Sequence, residues 1–472
     1  MTRLTALIIF LLMLTEARAR IISEQDYTQL DAYVLSSMAE LNVPGAAIAV
    51  FEGNKIVHLK GFGQTKAHGE VVTSQTPFQT GSVSKSFTAL AIAQLASEGQ
   101  LSLDDPVVKY LPDFQTKNST ASARITIRHL VSHHSSISMV DGNRYQTLTD
   151  RGKTPFNPAF NKLRKTSMTG EAGTSFAYSN ANYILLAALI EAIEDKPFEE
   201  VLEARIFTPL GMTNSYVQAL SKPTASPAIG HRQWFGETRE FNFIPGRIMM
   251  GAGGVTASAE DLVKYLIAVA NRDPAIIPPD FADDLVSPYG EDTNGYGFGW
   301  EIRDKDGAKL IFHGGLNPGF SAKVAFTSKP VRGGLILTNL AGSLDGQLVD
   351  GAVNGLMEFP EVDAAPTTTE RAQLWGSMAI TGLLVLGFFI SSFRLFRNTP
   401  TLGSLKTYLP SVVLIALAYS VYFLIPAMQG VPMSAVRIFY PDLGFLLTAA
   451  AAISTIWAVL RIPLIWHAPH HS

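Results

Sequence analysis

A serine and a lysine separated by two residues, Ser82 and Lys85 in Thr80-Gly81-Ser82-Val83-Ser84-Lys85, open a long apolar run of helical character. On a helix, residues three apart share a face. Hydroxyl and amine then meet without help from the rest of the chain. A serine hydroxyl is a poor nucleophile until a neighbour takes its proton or steadies the charge left behind. An amine one turn along can do either. Chance alone supplies about one or two such pairs in a chain of this length, and the plain reading is a helix start with a solvated lysine. The pair needs company before it means anything.

Two further stretches supply it. Tyr178-Ser179-Asn180 precedes an apolar helical run. A tyrosine near a lysine ammonium has its phenol pKa lowered and can serve a serine as general base. The asparagine can donate and accept, which suits holding the lysine and a substrate amide together. A turn and helix cap explain the same residues. Phe312-His313-Gly314-Gly315-Leu316-Asn317-Pro318-Gly319-Phe320 ends a predicted strand. Paired glycines there permit close approach of another backbone. A substrate could lie along Gly314 and Gly315 as an extra strand, with a backbone N–H aimed at its carbonyl oxygen. A bulge or hairpin is the plainer alternative.

The elements that must position these residues read as follows. Gly45 to Phe51 and Lys55 to Gly61 are strands joined at Gly53-Asn54. Helices are predicted over Ser82 to Glu98, stopping at Gly99, over Thr126 to Ser132 with Thr126 as cap, over Asn180 to Glu194, Phe198 to Phe207 and Ala259 to Asn271. Gly297 to Arg303, Lys309 to Phe312, Ser321 to Phe326 and Gly334 to Asn339 read as strands. Strands at both ends with helices between give an α+β domain over residues 20–363. Its N- and C-terminal strands close one antiparallel sheet, flanked by helices and carrying a mostly helical insert.

As a set, Ser-x-x-Lys, Tyr-x-Asn and His-x-Gly in this order and spacing resemble the motifs of serine β-lactamase-like hydrolases. That family includes class C β-lactamases, penicillin-recognising DD-peptidases and related esterases. The resemblance runs from about Gln25 to Leu340 and includes Val43-Pro44-Gly45, Ile125 to Leu130, Gly173 to Asn180, Gly253-Gly254-Val255 and Tyr296 to Trp300. It implies Ser82 as nucleophile, Lys85 as its activating partner, and Tyr178 as general base and later acid. It further implies Asn180 as a substrate amide contact, His313 on the strand bordering the site, and the N–H groups of Ser82 and Leu316 as oxyanion hole. The implied chemistry is acyl transfer through an acyl-enzyme, needing no metal or other cofactor.

Three departures stand out. His313 occupies a place where the β-lactamases often have lysine. A histidine is mostly neutral at pH 7, which argues against efficient β-lactam hydrolysis and toward esterase, amidase or peptidase work. Ser132-His133-His134-Ser135-Ser136 lacks the family's usual final glycine, and Ala172 replaces a proline. The adjacent His133 and His134 are poor metal ligands, since neighbours rarely converge on one ion. Arg232 and Trp234 could line the site or belong to a surface loop.

Of 472 residues, 47% are hydrophobic and only 16% charged, against roughly 25% charged in soluble domains. That deficit points to membrane segments. Net charge is −3 with no long basic run, so nothing recommends nucleic acid as a partner. With no cysteine, disulfides and thiolate chemistry are out. Residues 1–19 read as a signal peptide: Arg3, an apolar run from Leu4 to Leu14 too short to span a bilayer, and small residues at Ala17 and Ala19.

Residues 364–373 form a polar linker. Apolar segments at 374–393, 408–428 and 443–460 are then three predicted transmembrane helices. Arg394, Arg397 and Lys406 lie in the loop after the first, and Arg461 follows the third. The positive-inside rule makes that loop and the C-terminus cytoplasmic, with the catalytic domain extracytoplasmic at the cell (inner) membrane. The expected partners are the lipid bilayer and a small-molecule or peptide substrate of cell-wall type. Two classes of function remain: a membrane-anchored serine hydrolase (a true β-lactamase among its variants), or a sensor that binds cell-wall fragments without turnover. Oligomeric state is not legible.

Overall fold

The computed structural model describes residues 24–147, 160–217, 225–290, 295–305, 308–341, 346–357 and 405–466, except 162 and 429, with scattered positions between 375 and 390. The predicted signal peptide, the linker and half of the first predicted span therefore lie outside the described residues.

The architecture is α+β, as expected. Helix α1 (Glu24–Leu41) leads into strands β1 (Gly45–Glu52) and β2 (Lys55–Gly63). Strands β3 (Gly295–Tyr296), β4 (Glu301–Lys305), β5 (Ala308–Asn317), β6 (Phe320–Ser328) and β7 (Val331–Thr338) come from the other end of the domain. They form one antiparallel sheet in the order β2-β1-β7-β6-β5-β4-β3. The first and last parts of the domain meet where β1 pairs with β7, Ala46 opposite Thr338.

Strand β1 is apolar throughout because both its faces are covered. Ala46, Ile48 and Val50 enter one core while Ala47, Ala49 and Phe51 enter the other, the period-2 alternation of a strand. Helix α1 closes the first face together with a helix at Gly346–Met357, through Val34, Met38, Leu348 and Ala352. An ion pair from Lys323 to Asp350 joins that helix to β6. Neither helix was expected from the sequence.

The opposite face carries the insert. Helices α2 (Ser84–Ser97) and α3 (Asn180–Glu194) are buried around most of their circumference, which is where a helix apolar on all sides must lie. Helix α4 (Ala259–Asn271) is amphipathic and starts at Ser258, whose hydroxyl accepts the Asp261 N–H. Thr126 caps Ile127–Val131 in a capping box with His129. The stretch expected as one helix over Phe198–Phe207 is an α-turn to Leu202 and then a π-helix.

Beyond the domain, α5 (Leu405–Tyr419) continues through a π-helical turn and a further helical turn to Met428. A short helix α6 (Met433–Phe439) follows, then α7 (Pro441–Trp466). Two windows, Ser411–Met428 and Pro441–Val459, are long and apolar enough to cross a membrane. They match the second and third predicted spans.

Candidate active site

Ser82 lies in a 3-10 turn, Gly81–Val83, just before α2 rather than in the α-helix itself. The turn needs glycine at 81: φ is +52°, and a Cβ there would come 2.4 Å from the Leu316 nitrogen. The turn is held from below by Ser84, whose hydroxyl accepts the Val255 N–H at 2.9 Å. Because α2 is a core helix, Lys85 is carried inside with it and is fully buried. Its Nζ lies 2.9 Å from Ser82 Oγ and donates to the Ala252 carbonyl at 2.8 Å. The same nitrogen stands 4.9 Å from the Tyr178 ring centroid and 5.7 Å from that of Tyr183. Burial pushes the amine well below its ordinary pKa, which favours its neutral form.

Tyr178 approaches from the start of α3. The sequence led us to expect a lysine ammonium lowering its phenol pKa. The structure reverses the sign. Burial drives the phenol pKa far up, a hydrogen bond to Ser82 opposing it only in part. Burial works against the charged form of both groups. Asn180 does not hold the lysine either; its Nδ2 donates to Asn143 Oδ1 at 2.8 Å. Asn180 Oδ1 is buried without a hydrogen-bond partner among the described residues, an acceptor left beside the pocket.

His313 sits inside β5, not at its end, since the strand runs on through both glycines to Asn317. Its Nδ1 is 2.6 Å from the Gly314 carbonyl and its Nε2 is 3.0 Å from the Tyr296 hydroxyl. A carbonyl can only accept, so Nδ1 carries the proton and Nε2 accepts from Tyr296. Burial, with Lys85 next, pulls its pKa down to about 3. The neutral histidine expected from the sequence is what the site contains.

The glycines divide the work. A Cβ on Gly315 would stand 1.9 Å from the Thr80 carbonyl, whereas one on Gly314 would meet nothing within 4 Å. Gly315 thus lets β5 press against the Ser82 turn, which brings the Leu316 nitrogen beside Gly81. Gly314 faces open space.

Sequence reasoning missed several supports. His133 accepts the Ser179 N–H at 3.2 Å and the Asn182 amide at 2.9 Å on Nδ1, and its ring packs 4.4 Å from that of Tyr178. It fixes the start of α3 and the tyrosine together. The signal available was the histidine-rich loop itself. Ser136, where relatives usually have glycine, nevertheless adopts φ +61°; its hydroxyl donates to the Glu171 carbonyl at 2.8 Å. Asn317 ties the turn to its surroundings through Gln79 Oε1 and the Gly253 carbonyl, each at 2.9 Å. Arg232 and Trp234 do not line the pocket: Arg232 donates to the Ile438 carbonyl at 3.0 Å and Trp234 packs on Phe445.

Ser82 and Asn180 open onto a narrow cleft walled by Phe243, Met249, Leu316 and Phe439. A hydroxyl against a buried amine, a protonated phenol and a converging strand edge make an arrangement suited to acyl transfer.

Residues 30–354 match the beta-lactamase family. Among curated proteins, the protein flp of Staphylococcus aureus is 25% identical, over 78% of this chain and 75% of its own length. Penicillin-binding protein 4 of Amycolatopsis lactamdurans is 26% identical, over 59% and 76%. Among solved structures, the octameric penicillin-binding protein homologue from Pyrococcus abyssi superimposes with a TM-score of 0.62 at 27% identity, covering 74% of this chain and 81% of that one. The D-amino acid amidase from Ochrobactrum anthropi SV3 complexed with L-phenylalanine shares the fold with a TM-score of 0.58 at 20% identity, covering 70% and 98%.

Proposed function

Since the chain belongs to the beta-lactamase family, we propose that it is a membrane-anchored, extracytoplasmic serine hydrolase that forms an acyl-enzyme on Ser82. The observation that carries this reading is the buried Lys85 nitrogen, 2.9 Å from Ser82 Oγ, whose pKa burial lowers. Ser82 Oγ attacks an ester or amide carbonyl while Lys85 Nζ takes the hydroxyl proton. The oxyanion forms between the N–H groups of Ser82 and Leu316. As the tetrahedral species collapses, the protonated Tyr178 phenol gives its proton to the leaving group. Lys85 returns the proton to Tyr178 before water attacks the ester. Asn180 Oδ1, lacking a partner, accepts an N–H from the substrate. A neutral His313 gives a carboxylate no charge to pair with, so ester and amide substrates are favoured over β-lactams.

A fluorophosphonate probe tests the assignment. Full-length protein should carry one adduct on Ser82, and Ser82→Ala should carry none. Labelling that persists in the variant, or never occurs, rejects the nucleophile.

A further inference from the structure

The segment between the two apolar helices does not hang free; it closes over the cleft. Gly430 accepts a hydrogen bond from Asn143 Nδ2 at 2.8 Å, the residue that also holds Asn180. At the other end Arg232 donates to the Ile438 carbonyl at 3.0 Å, and the Phe235 N–H to Asp442 Oδ2 at 3.3 Å. Phe445, in the first turn of α7, packs on Trp234 with ring centroids 5.6 Å apart. Helix α6, pinned between these ties, buries Met433, Val436 and Phe439 and leaves Ser434 and Arg437 exposed. Phe439 reaches the cleft and forms part of its wall, together with Ser82 and Asn180. The remaining wall is largely apolar, with Phe243, Pro245, Met249 and Leu316, and no charged side chain among the described residues lines it.

We propose that this segment completes the substrate pocket and that the pocket takes the apolar acyl chain of an amphiphilic ester or amide, with Phe439 setting the chain length accepted. The inference rests on the serine-hydrolase reading above. Two observations carry it beyond that reading. An uncharged, apolar wall favours a hydrocarbon chain over a charged peptide end, because burying a charge unpaired costs more than the contact returns. The residue shaping that wall sits two positions before Pro441, where a helix long and apolar enough to enter a bilayer begins. A chain drawn from a membrane surface reaches the serine by the shortest route there.

The test uses the full chain in phospholipid nanodiscs and p-nitrophenyl esters from acetate to decanoate, with dioctanoyl phospholipid alongside. The octanoate-to-acetate ratio of kcat/KM should be about 10 or more, since one methylene in a fitted pocket is worth roughly 10-fold. Phe439→Ala should reduce that ratio at least about fivefold, and Phe439→Trp should move the optimum to shorter chains. Ser434→Ala, on the outer face of the same helix, should leave it unchanged. Release of octanoate from the phospholipid would support a bilayer source, and cleavage of the soluble ester alone a soluble one; either satisfies the pocket assignment. A flat or falling chain-length profile, or a ratio unmoved in both Phe439 variants, overturns the inference. The fluorophosphonate adduct on Ser82, measured in the same samples, separates the failures. An adduct with a flat profile removes this inference alone, while absence of the adduct removes the hydrolase reading and the inference together.

Discussion

Lys85 spends its one long side chain in the core, where its nitrogen reaches Ser82 and the Ala252 carbonyl and meets two tyrosine rings. Burial favours the neutral amine, and a neutral amine is a base. Lys85→Arg puts in its place a cation that does not give up its proton. It should slow fluorophosphonate labelling of Ser82 by about 10²–10⁴-fold, while the melting temperature shows that the fold is kept. In the native protein the labelling rate should fall as pH is lowered through the depressed pKa of Lys85. The acid limb then lies well below the lysine's usual 10.5; a limb near that value would reject Lys85 as the base. His313 gives a separate pH effect on stability. Its folded pKa of about 3 lies below the ordinary 6.5, so between those values the unfolded chain takes up a proton that the native chain refuses. Stability is therefore full above pH 6.5 and is lost progressively toward pH 3, by up to about 1.4 kcal/mol per pH unit. Buried His133 acts in the same direction. His313→Gln should flatten the decline in melting temperature over this window, and an unchanged slope would assign the effect elsewhere.

At the scale of elements, the site is the contact between one strand and one turn. Gly315→Ala would drive a methyl into the Thr80 carbonyl and force β5 away from Ser82. We expect a loss of at least about 2 kcal/mol in stability and a collapse of Ser82 labelling. Gly314→Ala, one residue earlier and facing open space, should change the melting temperature little; equal damage from both would refute this division of roles. The elements themselves were largely legible. The bounds of α3 and α4 follow from Asn180 and Ser258 as starts and from long apolar periodicity. The strand pair at Gly45 and Lys55 follows from its alternation and turn. The positions of Ser82, Lys85 and Tyr178 could be read as motifs. Their protonation states could not, because burial, not sequence neighbourhood, sets the sign. Helix α1 escaped because its apolar face is interrupted by polar residues, and β5 was cut short because two glycines look like a stop. The supporting residues His133, Asn143 and Tyr296 come from separate parts of the chain, and spacing alone does not reveal that they meet.

For the whole molecule, α6 and the hydrolase domain must lie on one side of any membrane that α5 and α7 cross, since they touch. Which side that is, expected from Arg394, Arg397 and Lys406 to be the outer one, is what labelling decides. The absence of cysteine makes the arrangement easy to map. Ser434→Cys should react with a membrane-impermeant maleimide applied to the outer face of spheroplasts, and Ser404→Cys only after lysis; the opposite pattern would invert the topology. The sheet itself carries one more consequence. Gly45 donates to Asn339 across 294 positions of chain, and β1 has no partner on its inner side until β7 arrives. Pairings so distant in sequence are slow to form. A chain that emerges N-terminus first would hold its most apolar strand paired on the β2 side alone until nearly the whole domain had emerged. A shortened delay between β1 and β7, as in a circular permutant opened elsewhere, should refold faster with less aggregation.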